Sequence, residues 1–184
     1  MKKVIISVLG NDRPGIIAAV SRLLYENDSN IENVSQTSLQ SEFAGIFIAT
    51  IPKRMPLPDI EEKLAATLVP LGLQVHVKPV EPRHEQTGSP NVESFVITTR
   101  GPDQKGLVAR ITEIIARHQV NITNCQAVFK GGDDPSDNIM IYEVDIPPQT
   151  RQQDLFQDLR DRGAELHLNV SIQHRDIFMT LNRI

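Results

Sequence analysis

Two short turns carry the residues best suited to binding chemistry. They occupy residues 10–15 and 101–106, each is bounded by glycines, and each contains an aspartate, Asp12 or Asp103. A strand that stops and at once starts a helix leaves free backbone N–H groups, which together with the helix dipole favour a carboxylate or a phosphate. The aspartate adds an acceptor for a cation beside these donors. Such a turn is complementary to a zwitterion, and so to a free amino acid.

Glycine and asparagine accompany the aspartate in both copies. The glycines let the backbone bend tightly and let a ligand approach without meeting a Cβ. Asn30 and Asn121 can donate and accept, and each begins a strand that we expect beside the turn. The alternative is structural, since an aspartate before a helix is often an N-cap and such an asparagine a left-handed turn residue. The joint recurrence of these residues favours binding, although a duplicated fold needs the same turn twice anyway.

The recurrence reflects an internal repeat. The copies match without a gap over residues 6–33 and 97–124, an offset of 91. The later copy carries four extra residues between its second and third strands, within residues 131–137. Beyond them we interpret the register as returning to 91, which pairs Gly72 with Gly163. Both glycines are then predicted to end a helix.

Hydrophobic periodicity predicts the same elements in each copy, in the order βαββαβ. This order is typical of the ferredoxin-like arrangement, so the predicted fold class is α+β with two such domains in tandem. Predicted strands are residues 4–9, 32–39, 45–51 and 73–77, then 95–99, 123–129, 139–146 and 166–172; predicted second helices are 58–71 and 150–162. The first helices show apolar stripes of Ile16, Ile17, Val20, Leu23 and Leu24, and of Leu107, Val108, Ile111, Ile114 and Ile115.

Composition narrows the class of protein. The chain has 184 residues, 40% hydrophobic and 23% charged, as in ordinary globular proteins. Its net charge of −4 and scattered Lys and Arg argue against broad electrostatic capture of nucleic acid or anionic lipid. No apolar run approaches membrane-spanning length, so we expect a cytoplasmic protein. The single cysteine, Cys125, excludes an intrachain disulfide and is predicted to be a packed thiol in a half-buried strand.

Other chemistry is not indicated. Residues 101–106 have the spacing of a P-loop, but Leu107 and Val108 stand where Lys and Ser or Thr are required. Neither the five histidines nor Asp133, Asp134 and Asp137 show a metal-binding pattern. Helix-turn-helix, zinc-finger and RNA-binding motifs are absent. A small ferredoxin-like enzyme using an aspartate of the turns is an alternative, but no suitable partner group recurs at a fixed spacing.

The turn from Gly10 to Ile16, followed by a helix and Asn30-Ile31, resembles the ACT domain signature. The resemblance covers about residues 1–80 and 92–175, which leaves a linker at 81–91 and a tail at 176–184 whose apolar residues we expect to dock. The first copy has Asp-Arg-Pro-Gly, whereas the second replaces Arg-Pro with Gln104-Lys105. Two such modules without a catalytic domain resemble the glycine cleavage system transcriptional repressor family.

The resemblance implies a non-enzymatic regulatory protein that senses a small amino acid, glycine or serine, without a cofactor. The ligand would sit where one module's turn faces a neighbouring module, within one chain or in a homodimer. Repression would act through a protein partner such as a DNA-binding activator, without direct contact with nucleic acid or membrane. A regulatory subunit of an amino-acid or one-carbon enzyme would share this fold and ligand. The implied ligand residues are Asn11, Asp12, Gly15 and Asn30, then Pro102, Asp103, Gly106 and Asn121.

Overall fold

A computed structural model describes residues 1–81, 92–128 and 138–181. The chain divides into two compact units, Met1–Arg83 and His84–Ile184. Each unit forms a four-stranded antiparallel sheet in βαββαβ order, which confirms the predicted fold class. Apart from Glu81, the predicted linker lies outside the described residues. None of the helices in the described ranges is long and apolar enough to span a membrane.

The two units have matching elements. In the first, β1 is Lys2–Asn11, α1 Ile16–Glu26, β2 Asn30–Leu39, β3 Glu42–Ile51, α2 Leu57–Leu68 with a 3-10 turn at Val69–Leu71, and β4 Leu73–Pro79. In the second, β5 is Glu93–Gly101, α3 Leu107–Arg117, β6 Asn121–Val128, β7 Asn138–Ile146, α4 Gln152–Glu165 and β8 Asn169–His174, followed by α5 at Arg175–Leu181. The sheet orders are β2-β3-β1-β4 and β6-β7-β5-β8.

Each core lies between one sheet face and two helices. In α1 and α3 the apolar stripe is buried as predicted, except at its second position. Ile17 is 37% exposed and Val108 is 45% exposed. The reason is geometric, because each follows a buried first residue and is rotated about 100° from it around the helix. Each predicted stripe therefore contains one residue that is not buried, Ile17 in α1 and Val108 in α3. The buried members are Ile16, Val20, Leu23 and Leu24, and Leu107, Ile111, Ile114 and Ile115.

The second halves of the units match at an offset of 95, so the predicted return to 91 is wrong. The buried residues of α2 and α4 follow this offset: Ile60, Leu64 and Leu68 in one, Leu155, Leu159 and Gly163 in the other. The left-handed residue before the last strand is Gly72 in the first unit (φ 80°) and His167 in the second (φ 56°). The four extra residues of the second unit are thus not balanced by a later deletion, and the offset stays at 95 up to the last strand.

Gly163 does not end a helix, in contrast to Gly72, which does follow the 3-10 turn that closes α2. Gly163 lies inside α4 and is buried. A Cβ there would come 2.3 Å from Cγ2 of Val170, so the glycine permits α4 to pack closely on β8. As a result α4 continues to Glu165, and β8 begins at Asn169 rather than at the predicted residue 166.

Cys125 lies on an edge strand, β6, and is exposed. The prediction of a packed thiol is therefore wrong. Strands β2 and β6 each have one hydrogen-bonded neighbour, and most of their described side chains are exposed. The partial burial that remains raises the pKa of the Cys125 thiol above 9.0, which keeps it protonated at neutral pH.

The C-terminal helix α5 packs against the second sheet. Arg175 Nε lies 3.5 Å from Glu143 Oε2, and Glu143 pairs in register with Val96. Val96 is 2% exposed although it is not part of the core beneath α3 and α4. Helix α5 thus lies on the sheet face opposite to those helices, and the described part of the predicted tail docks within its own unit. Ile177 and Met179 of that tail, however, are 55% and 57% exposed.

Candidate functional site

The first turn joins the end of β1 to the start of α1. Its position is held by the backbone, because the Asp12 N–H donates to the Ser41 carbonyl at the β2–β3 connection, at 2.7 Å. Gly15 is the N-cap residue of α1 in a left-handed conformation, φ 97°, and no side chain caps the helix among the described residues. Asp12 therefore is not an N-cap, and the first N–H groups of α1 receive no side-chain cap from the part of the chain that the structure describes.

An open pocket of about 580 Å³ lies at this turn. Its volume is within the range of small-molecule sites, about 300–1,000 Å³. The Asp12 side chain is exposed and has no hydrogen bond or ion pair with any other described residue. The lining residues are Asp12, Arg13, Gly15, Ile16, Ile17, Ala18, Gln36, Ser38 and Phe43.

Of the nine lining residues, Asp12 and Gly15 were predicted as ligand residues and seven were not. Among those seven, Gln36, Ser38 and Phe43 lie on β2 and β3, far from the turn in sequence. Ser38 pairs with Phe43 and Gln36 with Gly45, so their side chains are on the helix-facing side of β2 and β3. The sequence held one signal, since residues 35–38 of β2 are all polar, whereas a covered strand would be apolar on one face. Only the strand order shows that this end of the hairpin lies beside the turn.

Asn30 does not lie beside the first turn. It pairs with Thr50, which pairs with Lys3, whereas the turn follows Asn11 at the far end of β1. From Lys3 to Asn11 the strand spans about 26 Å at about 3.3 Å per residue. Because β2 runs in the same direction as β1, its last residues rather than its first approach the turn. The expected juxtaposition is therefore wrong within the unit.

Asn121 is displaced in the same way. It pairs with Asp145, which pairs with Ser94 near the start of β5, while the second turn follows Gly101 at the end of that strand. The structure thus brings together Asn11, Asp12 and Gly15 in one turn and Pro102, Asp103 and Gly106 in the other. Neither asparagine joins the turn of its own unit.

The glycines at the two ends of each turn have different roles. A Cβ on Gly10 would lie 2.5 Å from the Gly72 carbonyl oxygen, and one on Gly101 would lie 2.8 Å from that of His167. These leading glycines allow close packing against the segment before β4 or β8, not the approach of a ligand. At Gly15 a Cβ would meet no atom within 4 Å, and at Gly106 it would meet only Arg110 Nε at 3.9 Å, so the helix end of both turns is open.

The second turn is bound to its own unit by side chains. Asn138 Nδ2 donates to Asp103 Oδ1 at 3.1 Å, and Gln104 Nε2 donates to the Leu166 carbonyl at 2.8 Å. As in the first unit, a left-handed glycine, Gly106 with φ 84°, precedes the helix, and no described side chain caps it. Asp103 is not an N-cap either.

Two histidine–carboxylate pairs join other elements of the units. His118 Nε2 lies 2.9 Å from Asp158 Oδ2, and His76 Nδ1 lies 3.0 Å from Glu61 Oε1. The hydrogen bond from His118 is the main cause that lowers the pKa of Asp158. These pairs join helices to each other or to a strand. Within the described ranges no three His, Cys, Asp or Glu side chains form a group that could hold a metal ion.

A sequence model of the family described as "ACT domain" matches residues 2–78 and again residues 93–173. The UPF0237 protein MJ1558 of Methanocaldococcus jannaschii is 37% identical over 79 residues, which are 42% of this chain and 88% of that protein. The match to the family thus covers both units, including both turns.

Two solved structures share the architecture of nearly the whole chain. An unknown protein from Galdieria sulphuraria superimposes with a TM-score of 0.77 at 21% identity, over 94% of this chain and 98% of that one. A "putative glycine cleavage system transcriptional repressor" superimposes with a TM-score of 0.64 at 20% identity, over 94% and 96%. At 21% and 20% sequence identity, these two comparisons show a shared fold and nothing about function.

Proposed function

Since this chain belongs to the ACT domain family, we propose that it is a non-enzymatic regulatory protein whose first turn binds a small free amino acid, glycine or L-serine. The observation that carries the proposal is the pairing, in one open pocket, of an uncapped helix start with a carboxylate that has no partner among the described residues. Both features are what a zwitterionic ligand would satisfy.

The pocket suggests a division of roles. The free N–H groups at the start of α1 would hold the ligand carboxylate, and Asp12 would hold its ammonium group. Gln36 and Ser38 offer further polar contacts, while Ile17 and Phe43 supply apolar surface. Asn11 and Gly15 set the backbone of the turn. Asn30 is left without a role toward the turn of its own unit.

Regulation would follow from a change in how the protein packs against a partner. A ligand shifts such an equilibrium only through different affinities for two arrangements, so the pocket must differ between them. We propose that the partner is a protein, such as a DNA-binding activator of glycine cleavage genes, met in the cytoplasm by a homo-oligomer of this chain. The repressor-like structural neighbour suggests this choice.

Calorimetric titration of the full chain with glycine and L-serine tests the ligand site. We expect one of them to bind, and Asp12→Ala to weaken binding by about 1–3 kcal/mol through loss of a charge-assisted contact. Asp28→Ala is the matched control, because it removes the same charge from an exposed position beyond the other end of α1 and should leave affinity unchanged. An Asp12→Ala protein that binds as tightly as the wild type would remove Asp12 from the site.

Affinity capture from cells with and without the bound amino acid tests the regulatory role. We expect a DNA-binding protein whose recovery changes with ligand. Recovery of an amino-acid or one-carbon enzyme instead would replace the repressor assignment with that of a regulatory subunit. Absence of binding by any amino acid would contradict the sensor function itself.

A further inference from the structure

The two turns differ at a matched pair of positions in β3 and β7. Phe43 pairs in register with Gly10, and Asn138 pairs with Gly101, so the two side chains occupy equivalent places beside the turn. Phe43 is buried and lines the first pocket. An apolar ring there cannot hydrogen-bond to Asp12. The amide in the second unit can, and does, hydrogen-bond to Asp103.

A second difference lies within the turns themselves. Gln104 stands where the first turn has Arg13, and its amide donates to the Leu166 carbonyl at 2.8 Å. This bond ties the second turn to the segment between α4 and β8. Arg13 lines the first pocket and has no hydrogen bond or ion pair with another described residue. Asp12 and Asp103 are both exposed, so their partners rather than their exposure separate the two turns.

The position of the Asn138 amide is energetically unfavourable, because the group is buried and only partly hydrogen-bonded. Its side chain is 9% exposed, and its Oδ1 is buried without a partner among the described residues. A buried polar atom without a hydrogen bond destabilises a fold, and Phe43 shows that this position accepts an apolar side chain. The hydrogen bond from Nδ2 to Asp103 offsets part of this destabilisation.

We infer that the second turn is held by its own side chains, with Asp103 committed to Asn138 rather than to a ligand, and that only the first turn binds a zwitterionic amino acid, so that one ligand binds per chain. The hydrogen bonds from Asn138 to Asp103 and from Gln104 to the Leu166 carbonyl fix the second turn to its own unit, and we call this pair of bonds the lock. The second unit then has the fold of an amino-acid-binding module but binds no amino acid itself. This inference rests on the proposed function for its ligand, but the lock itself can be tested without one.

Calorimetry on the full chain with glycine and L-serine measures the stoichiometry. We expect one equivalent per chain, an affinity reduced about fivefold or more by Asp12→Ala, and an affinity unchanged in Asp103→Ala. Two equivalents per chain, or an Asp103→Ala protein that loses a binding event, would overturn the inference.

A double-mutant cycle on Asp103→Ala and Asn138→Ala, read by urea unfolding of the free protein, tests the lock. We expect the effects on the unfolding equilibrium constant to be coupled by about fivefold, the size of one hydrogen bond. The matched cycle of Asp12→Ala with Phe43→Leu should show no coupling. An uncoupled Asp103–Asn138 pair refutes the lock. A coupled pair in a protein that binds no amino acid leaves the lock standing and refutes the proposed function instead.

Discussion

Tyr142 shows how a single polar atom distinguishes two repeated cores. Its side chain is fully buried, and its hydroxyl has no hydrogen-bond partner among the described residues. Burial first, and then the nearby Cys125, raises the pKa of Tyr142 to about 12, so the phenol is neutral at any physiological pH. Phe47 occupies the matched position, since it pairs with Ile6 as Tyr142 pairs with Ile97. The first core therefore has the same ring without the hydroxyl.

Tyr142→Phe is expected to raise the free energy of unfolding by about 1 kcal/mol, because it removes a buried hydroxyl that lacks a hydrogen bond. Urea denaturation measures the effect. The reverse change in the other core, Phe47→Tyr, is the control and should destabilise by a similar amount. A loss of stability in Tyr142→Phe would mean that the hydroxyl is hydrogen-bonded in solution.

At the scale of elements, a small charged cluster joins the two helices of the second unit. His118, the C-cap residue of α3, meets Asp158 of α4 at 2.9 Å, and Arg117 approaches the same carboxylate at 3.6 Å. Thr150 Oγ1 also donates to the His118 carbonyl at 3.2 Å. The hydrogen bond from His118, followed by the charges of His118 and Arg117, lowers the pKa of Asp158 below its usual 3.8.

This depressed pKa predicts an acid dependence of stability. A carboxyl group whose pKa is lower in the folded state contributes fully above the unfolded value, 3.8, and loses its contribution as the pH falls through the folded value. Wild-type protein should therefore lose stability more steeply below pH 3.8 than Asp158→Asn does. Urea denaturation at a series of pH values compares them. Parallel pH profiles would show that the cluster contributes nothing to the folded state.

At the scale of the whole molecule, the described residues form two hydrophobic cores. One cluster draws its buried residues from positions 4 to 77, and the other from positions 97 to 168. Within the described ranges, no buried side chain belongs to both clusters. Each core thus depends on its own sheet and helices, and the matched leucines Leu64 and Leu159 are fully buried at equivalent places in α2 and α4.

Truncating either leucine should destabilise one unit. Leu64→Ala is expected to cost about 2–5 kcal/mol, the usual range for a buried leucine, and to speed amide exchange in β1, β3 and β4 while sparing β5, β7 and β8. Leu159→Ala should show the opposite pattern and serves as the matched control. Hydrogen exchange measured by mass spectrometry distinguishes the exchange patterns of the two variants. Equal acceleration in all six strands would mean that the cores unfold as one.

Sequence alone determined the features that depend on neighbours along the chain. Apolar runs, alternation and helical spacing located the strands and the four main helices, although β8 begins three residues later than predicted, and the repeat showed that the fold occurs twice. The turn signals at residues 10–15 and 101–106 were recognisable because glycines and an aspartate must stand there in order. These signals are local, since a helix or a strand exposes its pattern within a few residues.

Only the tertiary structure decided what each turn lies beside. The end of the β2–β3 hairpin, not Asn30, approaches the first turn, because strand order and direction are set by packing through space. The same holds for Gly163, whose place inside α4 depends on Val170, and for Cys125, whose exposure depends on an edge strand. The partnership of Asp103 with Asn138 joins residues 35 apart. Such pairings leave no period in the sequence, so the replacement of Arg13 by Gln104 marked the second turn as different but did not show what that turn contacts.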